Sequence, residues 1–339
     1  MQLISFSSFK NKNPSKAGDF PYFYTEEYNT FSHKHERKEL FIYSDENGNT
    51  MVCRKWKNKF LVIIQPLYPP LSAKIERLNE TEEKDFLENF VTYISSNKIA
   101  HRITQPENSA IFKAAPVHAI KAPFGTYFLD IENMSEEKIF EGLHSKHRNV
   151  IRNAEKNNVQ LKYGQEVIRD FFEMYEQTMR RSNKYCQPLS YFEDIYNAMP
   201  QNIICGVAYF NEKPQGGLFM PYSGFGAFYL YGASAESKGI NGAINYLHWE
   251  TIKILKAKGV KRYDFVGARL SDVSGSKLEG IQQFKERFGA DLEKGFLWKL
   301  DINPNFCNLF DTMVSFKLKL RGRKPPIDII DEELAKANN

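Results

Sequence analysis

The sequence predicts an α/β (α+β) protein of two tandem lobes, each with a mixed central sheet. Three observations carry this. The chain has 339 residues, about two domains' worth. It holds 27 Phe and 18 Tyr, an aromatic enrichment that suits half-buried strands. From Val159 onward, strand-like and helix-like runs alternate in the order β-α-α-β-β-β-α-β-α-β. We expect a first lobe over residues 1–143, completed by 302–339, and a second over 144–301.

Residues 39–66 read as a β-meander. ELFIYS and NTMVCRKW flank Glu46-Asn47-Gly48-Asn49, and Asn-Gly is a hairpin signal because both residues tolerate positive φ. Lys57-Asn58-Lys59 then turns the chain into FLVIIQPLY. A helix starts near Thr81, with Glu82, Glu83 and Asp85 in its first turn and Phe86, Leu87, Phe90, Val91 and Ile94 at helical spacing. PFGTYFLDI is a strand. Ser135 caps a helical region running to about Asn157.

In the second lobe VQLKYG is followed by helices from about Glu166 to Arg181 and over Tyr191–Ala198. NIICGVAYF, QGGLFMPY and FGAFYLYGA are strands. A helix spans roughly Gly242–Lys258, a strand Arg262–Val266 and a helix Ile281–Arg287. The strand GFLWKLDI leads to a helix through Val314–Leu320, and the polar tail after Arg321, with its paired prolines, is expected to fray.

Composition narrows the function classes. Net charge is +5, a mild excess compatible with phosphates or tRNA. Cys53, Cys186, Cys205 and Cys307 are widely spaced, which is neither a disulfide framework nor a zinc signature and fits reduced thiols. The N-terminus has no continuous apolar stretch of a secretion signal, and no run approaches the ~20 apolar residues of a membrane span. A cytoplasmic protein is expected, with any membrane work peripheral, at the inner face. G-x-S-x-G and H-E-x-x-H are absent from the sequence.

The residues that could carry chemistry cluster late in the chain. Phe228–Gly289 holds an aromatic strand, an amphipathic helix, a strand ending in Asp264 and Gly267, and a helix with Phe284 and Lys285. These elements can build a cleft at a strand end with one aromatic and one cation at its mouth. Lys285 is otherwise a solvent-facing lysine beside Glu286. A carboxylate at Asp264 can orient or deprotonate an amine, or simply cap backbone N–H groups. Arg148 and Arg152, four residues apart on one helix face, could hold a pyrophosphate or RNA backbone, or be a solvated basic face. Arg181, with Arg180 as competitor, ends the helix in EQTMRRSN, where it could hold phosphate or offset the helix dipole. His33–Lys38 is a polar loop or a further phosphate contact. Tyr229 and Tyr231 alternate in phase, lining an acceptor channel or packing the core. His144 and His147 stand three apart without a third metal ligand in sight, so no metal is expected.

The element order of the second lobe resembles the GNAT acyltransferase fold, whose central strands splay to admit an acyl donor. GIQQFKERFG resembles the FK-x-x-FG element of the FemABX family, which adds amino acids to peptidoglycan precursors. VKRYDFVG resembles its YDF-x-G element, and the helix from Lys146 to Lys156 resembles its K-x-R-x-x-I-R-x-A-x-K-x-G helix, with Asn158 where glycine is common. The resemblance covers roughly residues 140–300 and lacks a coiled-coil arm, like the short branch of the family. It implies two tandem GNAT-like lobes with splayed sheets and an aminoacyltransferase without a cofactor. Aminoacyl-tRNA would be the donor, and a peptidoglycan precursor, as lipid II or nucleotide-linked, the acceptor. Lys285 and Asp264 would be catalytic, and Phe284, Arg148, Arg152, Arg181, Tyr229 and Tyr231 would bind substrate.

Two alternatives stay open. One is an acyl-CoA-dependent N-acyltransferase acting on an amino sugar or envelope precursor. Such enzymes carry an R/Q-x-x-G-x-G/A pyrophosphate loop. Ala235–Ala243 matches it poorly, since Glu236 takes the first basic or amide position and Asn241 a small one, although Lys238 and Gly242 keep it open. The other is a non-catalytic RNA- or glycan-binding protein.

Overall fold

Gly48 takes φ +78° in the first hairpin, whose register pairs Ser44 with Thr50, and the Asp45 carboxylate accepts the Asn47 and Asn49 amides at 2.9 Å. The meander is therefore built as its turn residues dictate. The chain is described by a computed structural model over residues 2–12, 17–237, 239–322, 325 and 327–337. Strands Glu39–Ser44, Thr50–Asn58 and Leu61–Pro66 pair antiparallel, and Lys59 supplies the second turn at φ 54°.

The helix Glu80–Ser96 packs under the meander. Asn79 and Glu82 form a reciprocal capping box at its start, which satisfies two donors the first turn leaves free. Phe86, Leu87, Phe90 and Ile94 are buried against Tyr43, each stabilising by about 1.5–3 kcal/mol.

A ten-stranded sheet spans both halves of the chain. From one edge it runs Gln2–Ile4, Glu39–Ser44, Thr50–Asn58, Leu61–Pro66, Arg102–Ile103, Asp291–Asp301, Ile120–Asp130, Arg262–Asp264 and Ala227–Phe228, with Ala268–Arg269 also pairing Ile120–Asp130. The late strand Asp291–Asp301 is thus inserted in the middle. It pairs Ile120–Asp130 antiparallel from Asp291↔Phe128 to Lys299↔Ile120, and its end pairs Arg102–Ile103.

A second sheet orders Tyr231–Ser234, Lys213–Pro221, Ile203–Phe210 and Gln160–Tyr163, all antiparallel. Helices Ile168–Arg181 and Leu189–Ala198 cover one face, where Phe171, Tyr175 and Phe192 meet Val207 and Phe219. Helices Ser145–Lys156 and Ala243–Ala257 cover the other, where Ile151, Leu247 and Ile252 meet Ile204 and Leu218. The family resemblance implied a mixed α/β fold, and the fold is of that class, with parallel and antiparallel pairs in its large sheet.

Several expectations are corrected. The helical region from Ser135 breaks at Leu143, whose ψ of 142° is extended, so Glu136–Gly142 and Ser145–Lys156 are separate helices. The last long helix starts at Pro304, not near Val314, because Asn303 caps it and Pro304 occupies its first turn. The tail does not fray throughout. Helix Ile329–Ala337 docks with Ile330 fully buried, and Arg269 holds Glu332 and Glu333 at 2.5 and 2.7 Å. The first 38 residues, read from sequence only as lacking a signal segment and ending in a polar loop, put Phe6, Phe9, Phe20, Tyr22, Phe23, Tyr24, Tyr28 and Phe31 into the largest core.

Candidate active site

The two sheets part at one place. Ala227–Phe228 runs parallel to Tyr263–Asp264, and the Tyr229 amide donates to the Asp264 carbonyl at 2.8 Å. Beyond that rung the chain kinks at Tyr229–Leu230, and Tyr231–Ser234 continues on the other sheet. The strands diverge there, Ala227–Phe228 lying in the large sheet and Tyr231–Ser234 in the second.

The chain after Asp264 turns sharply. Val266 and Gly267 both adopt left-handed φ, 44° and 58°. A β-branched residue in that region costs energy and must be held by its surroundings. The Asp264 carboxylate does the holding, accepting the Val266 amide at 2.8 Å. It also accepts Thr126 Oγ1 at 2.5 Å and Arg262 Nη2 at 2.9 Å, and the residue is 1% exposed. Its oxygens are engaged within the protein, so it orients the turn.

The turn aims two carbonyls at one lysine. Lys285, on helix Lys277–Glu286, donates through Nζ to the Val266 carbonyl and to the Gly267 carbonyl at 2.5 Å. The residue is only 7% exposed. Burial lowers its pKa to about 8, and the negative charge of Asp264 opposes that fall. A buried ammonium with neutral acceptors keeps a strong local field.

An aromatic group packs behind Lys285. Phe284 sits between His147 and His248, at ring distances of 5.4 and 5.3 Å, and Tyr229 meets His248 edge-on at 4.6 Å. Burial holds both histidines neutral, His147 at about 4 and His248 at about 3. His248 Nδ1 bonds the Tyr263 hydroxyl at 2.6 Å, while His248 Nε2 and His147 Nδ1 are buried without a partner. His144 is instead the exposed cap of its helix and accepts the Lys146 amide, so the two histidines do not converge. Among the described residues no cluster of three or more His, Cys, Asp or Glu is placed to hold a metal.

Next to Phe284 a cavity of about 370 Å³ opens at the start of helix Ala243–Ala257. Lys146, His147, Asn241, Gly242 and Arg287 help line it, with no carboxylate among its walls. Gly242 has φ +92°, and a Cβ there would lie 2.1 Å from the Val150 carbonyl, so only glycine lets the two helices approach this closely. No side chain caps the helix start, leaving amides and the helix dipole to attract an anion. By sequence this loop is a poor pyrophosphate binder because of Glu236. In the fold Glu236 is exposed, and the positive charge comes from Lys146 and Arg287, on other elements. Lys238 lies outside the described residues.

The remaining expected residues are placed differently. Arg148 donates to the Glu141 and Leu143 carbonyls, closing the end of helix Glu136–Gly142, and Arg152 lies 5.3 Å over the Phe140 ring. Both therefore serve the neighbouring helix instead of the cavity. Arg181 Nη2 donates to the Ser234 carbonyl at 2.8 Å at the end of the splayed strand, and Arg180 pairs with Glu176 outside. Tyr229 and Tyr231 do not share a face, because the kink at Tyr229–Leu230 breaks the alternation. Tyr229 packs with His248, while the Tyr231 hydroxyl donates to Tyr191 at 3.0 Å in the opposite core. The His33–Lys38 segment ties the lobes together. His35 bonds Asp194 at 2.6 Å, and Glu36 lies 3.2 Å from the buried Arg54. No sequence signal pointed to Lys277, whose Nζ donates to Ser182 Oγ at 2.6 Å and links the lysine-bearing helix to the end of helix Ile168–Arg181.

Residues 117–215 match the model of the FemAB family. Among solved structures, FemX is similar at 12% identity and TM-score 0.65, covering 91% of this chain and 99% of that one. The C-terminal domain of a putative lysylphosphatidylglycerol synthetase from Agrobacterium fabrum is similar at 12% identity and TM-score 0.49, covering 87% and 92%. A tandem GNAT protein from the clavulanic acid biosynthesis pathway is similar at 8% identity and TM-score 0.46, covering 78% and 83%. No curated protein matches the sequence.

Proposed function

We propose that this FemABX-type chain of tandem GNAT-like lobes transfers an aminoacyl group from aminoacyl-tRNA to an amine of a peptidoglycan precursor. The observation that carries the reading is the buried Lys285 ammonium, held by the Val266 and Gly267 carbonyls beside the point where the strands diverge.

The acceptor amine, in its neutral form, attacks the ester carbonyl of the donor. A C–N bond forms and a tetrahedral oxyanion develops. Lys285 stabilises that oxygen, and such fixed donors supply much of the rate enhancement in acyl transfer. The C–O bond to the ribose then breaks. The proton lost by the attacking amine ends on the ribose oxygen, so charge and atoms balance without a cofactor. Two fixed reactants make a covalent enzyme intermediate unnecessary.

The donor's phosphates fit the cavity at the start of helix Ala243–Ala257, where Lys146 and Arg287 supply positive charge. Asp264 acts as a positioning residue, through the turn it holds and the charge it presents to Lys285.

The test is a transfer assay with mass-spectrometric detection of the adduct, offering charged tRNA and acyl-CoA in parallel. Adducts from charged tRNA alone support the reading. Saturation by acyl-CoA alone replaces it with a CoA-dependent N-acyltransferase, for which the same cavity could take a pyrophosphate. No adduct from either donor, with RNA or glycan still bound, replaces it with a binding protein.

A further inference from the structure

Helix Pro304–Leu320 is docked by one face and bare on another. Cys307 and Phe310 are buried, and Phe306 and Val314 pack beside them against Trp56, Leu61 and Ile63. Leu309, Met313, Phe316 and Leu320 stand 60%, 54%, 64% and 74% exposed. Their spacing of four, three and four residues sets them in a single row along the helix. One exposed Leu is ordinary on a protein surface, but a continuous row is not.

Charge is arranged around this row. From Lys317 to Lys324 the sequence reads KLKLRGRK, five cations without an acid. Lys317 and Lys319 are exposed and make no ion pair among the described residues. At ~100° per residue they fall on opposite flanks of the row, roughly 70° and 90° from its centre. The helix's one acid, Asp311, is bound by Arg102 at 2.7 Å and lies on the side away from the row. The hairpin that the helix packs against repeats the composition, since Phe60 is 70% exposed directly after the exposed Lys57 and Lys59. No helix among the described residues is long and apolar enough to cross a membrane.

We infer that Pro304–Leu320 is an interfacial helix for an anionic phospholipid bilayer. Leu309, Met313, Phe316 and Leu320 enter the boundary between headgroups and acyl chains, and Lys317, Lys319 and Arg321 meet lipid phosphates. A second copy of the chain is the poorer occupant, because the same helix in a partner offers one acid, Asp311, which Arg102 already binds, against five cations. Membrane docking here is independent of what the cleft transfers.

Sedimentation of the full chain with vesicles tests this. The protein should pellet with phosphatidylglycerol–phosphatidylcholine vesicles, much less with phosphatidylcholine alone, and binding should weaken as salt rises. The double variant Phe316→Asp, Leu320→Asp should bind at least ~10-fold more weakly with unchanged thermal unfolding, since both side chains are exposed. Lys317→Gln, Lys319→Gln should lose affinity only for the anionic vesicles. Two outcomes overturn the inference: wild-type protein that stays in the supernatant with anionic vesicles, or a Phe316→Asp, Leu320→Asp variant that binds as tightly as wild type. Light scattering separates the second-copy case, where a dimer mass abolished by that variant, without vesicle binding, assigns the row to self-association.

Discussion

The Nζ of Lys285 donates to the Gly267 carbonyl at 2.5 Å across 18 residues of sequence. The carbonyl points inward because Gly267 and Val266 both hold left-handed φ. The lysine is therefore bound by neutral acceptors that do not quench its charge.

Lys285→Met should remove that stabilisation while filling most of the same space. Transfer should fall about 100-fold or more, the cost of losing one oxyanion donor. Thermal unfolding should change little, because burial of the charge is itself unfavourable. Transfer at wild-type rate would remove Lys285 from the mechanism.

The pH–rate profile should carry a descending limb near 8, where the Lys285 ammonium loses its proton. Asp264→Asn removes the negative charge that supports the ammonium, so the limb should move to lower pH. A profile that keeps its limb in place in this variant would limit Asp264 to a structural part.

His147 and His248 are neutral in the fold, with pKa values of about 4 and about 3. Unfolded histidines titrate near ~6.5. Below that pH the unfolded chain binds protons that the folded chain does not, so the folded state loses stability as pH falls from ~6.5 towards 4. Each histidine contributes a slope of about 1.4 kcal/mol per pH unit. Urea unfolding across this range should show His147→Phe with a shallower acid slope than wild type, and equal slopes would contradict the assignment.

Gly242→Ala should destabilise by about 2 kcal/mol or more, since it combines φ +92° with a Cβ placed 2.1 Å from the Val150 carbonyl. Denaturant midpoints measure this. Gly280 has open space around it, so Gly280→Ala serves as the neutral comparison.

Lys146→Ala and Arg287→Ala should each raise the donor KM about 10-fold or more, the loss of one hydrogen bond to a charged group. The salt dependence of tRNA affinity should flatten in both. Arg152→Ala should leave donor affinity alone, because that side chain lies over Phe140. The opposite pattern would return the phosphate contact to the Arg148–Arg152 face.

Local chemistry explains which parts of this fold were legible in the sequence. Asn47-Gly48 announced its hairpin because turn dihedrals belong to single residues, and the apolar spacing of Phe86–Ile94 announced a helix for the same local reason. The strand pairing Asp291–Asp301 with Ile120–Asp130 was not legible, since nothing in either segment names its partner. Lys285 stood out only with its flanking motif. The roles of Arg148 and Arg152 were hidden because a basic helix face has one sequence pattern whether it meets phosphate or backbone carbonyls. Period-two spacing pairs Tyr229 with Tyr231, and one kink between them undoes it. The cavity cations Lys146 and Arg287 lie 141 residues apart, beyond the reach of any spacing rule.

The placement of Asp291–Asp301 at the heart of the large sheet bears on how the polypeptide is made. When residue 130 leaves the ribosome, the strand it ends has neither neighbour from the later chain, because residues 262–264 and 291–299 are still unsynthesised. Its ladder stays open until residues 262–299 have been made. A nascent chain halted before residue 291 should expose that edge to chaperones and proteases, and synthesis of the remainder should close it.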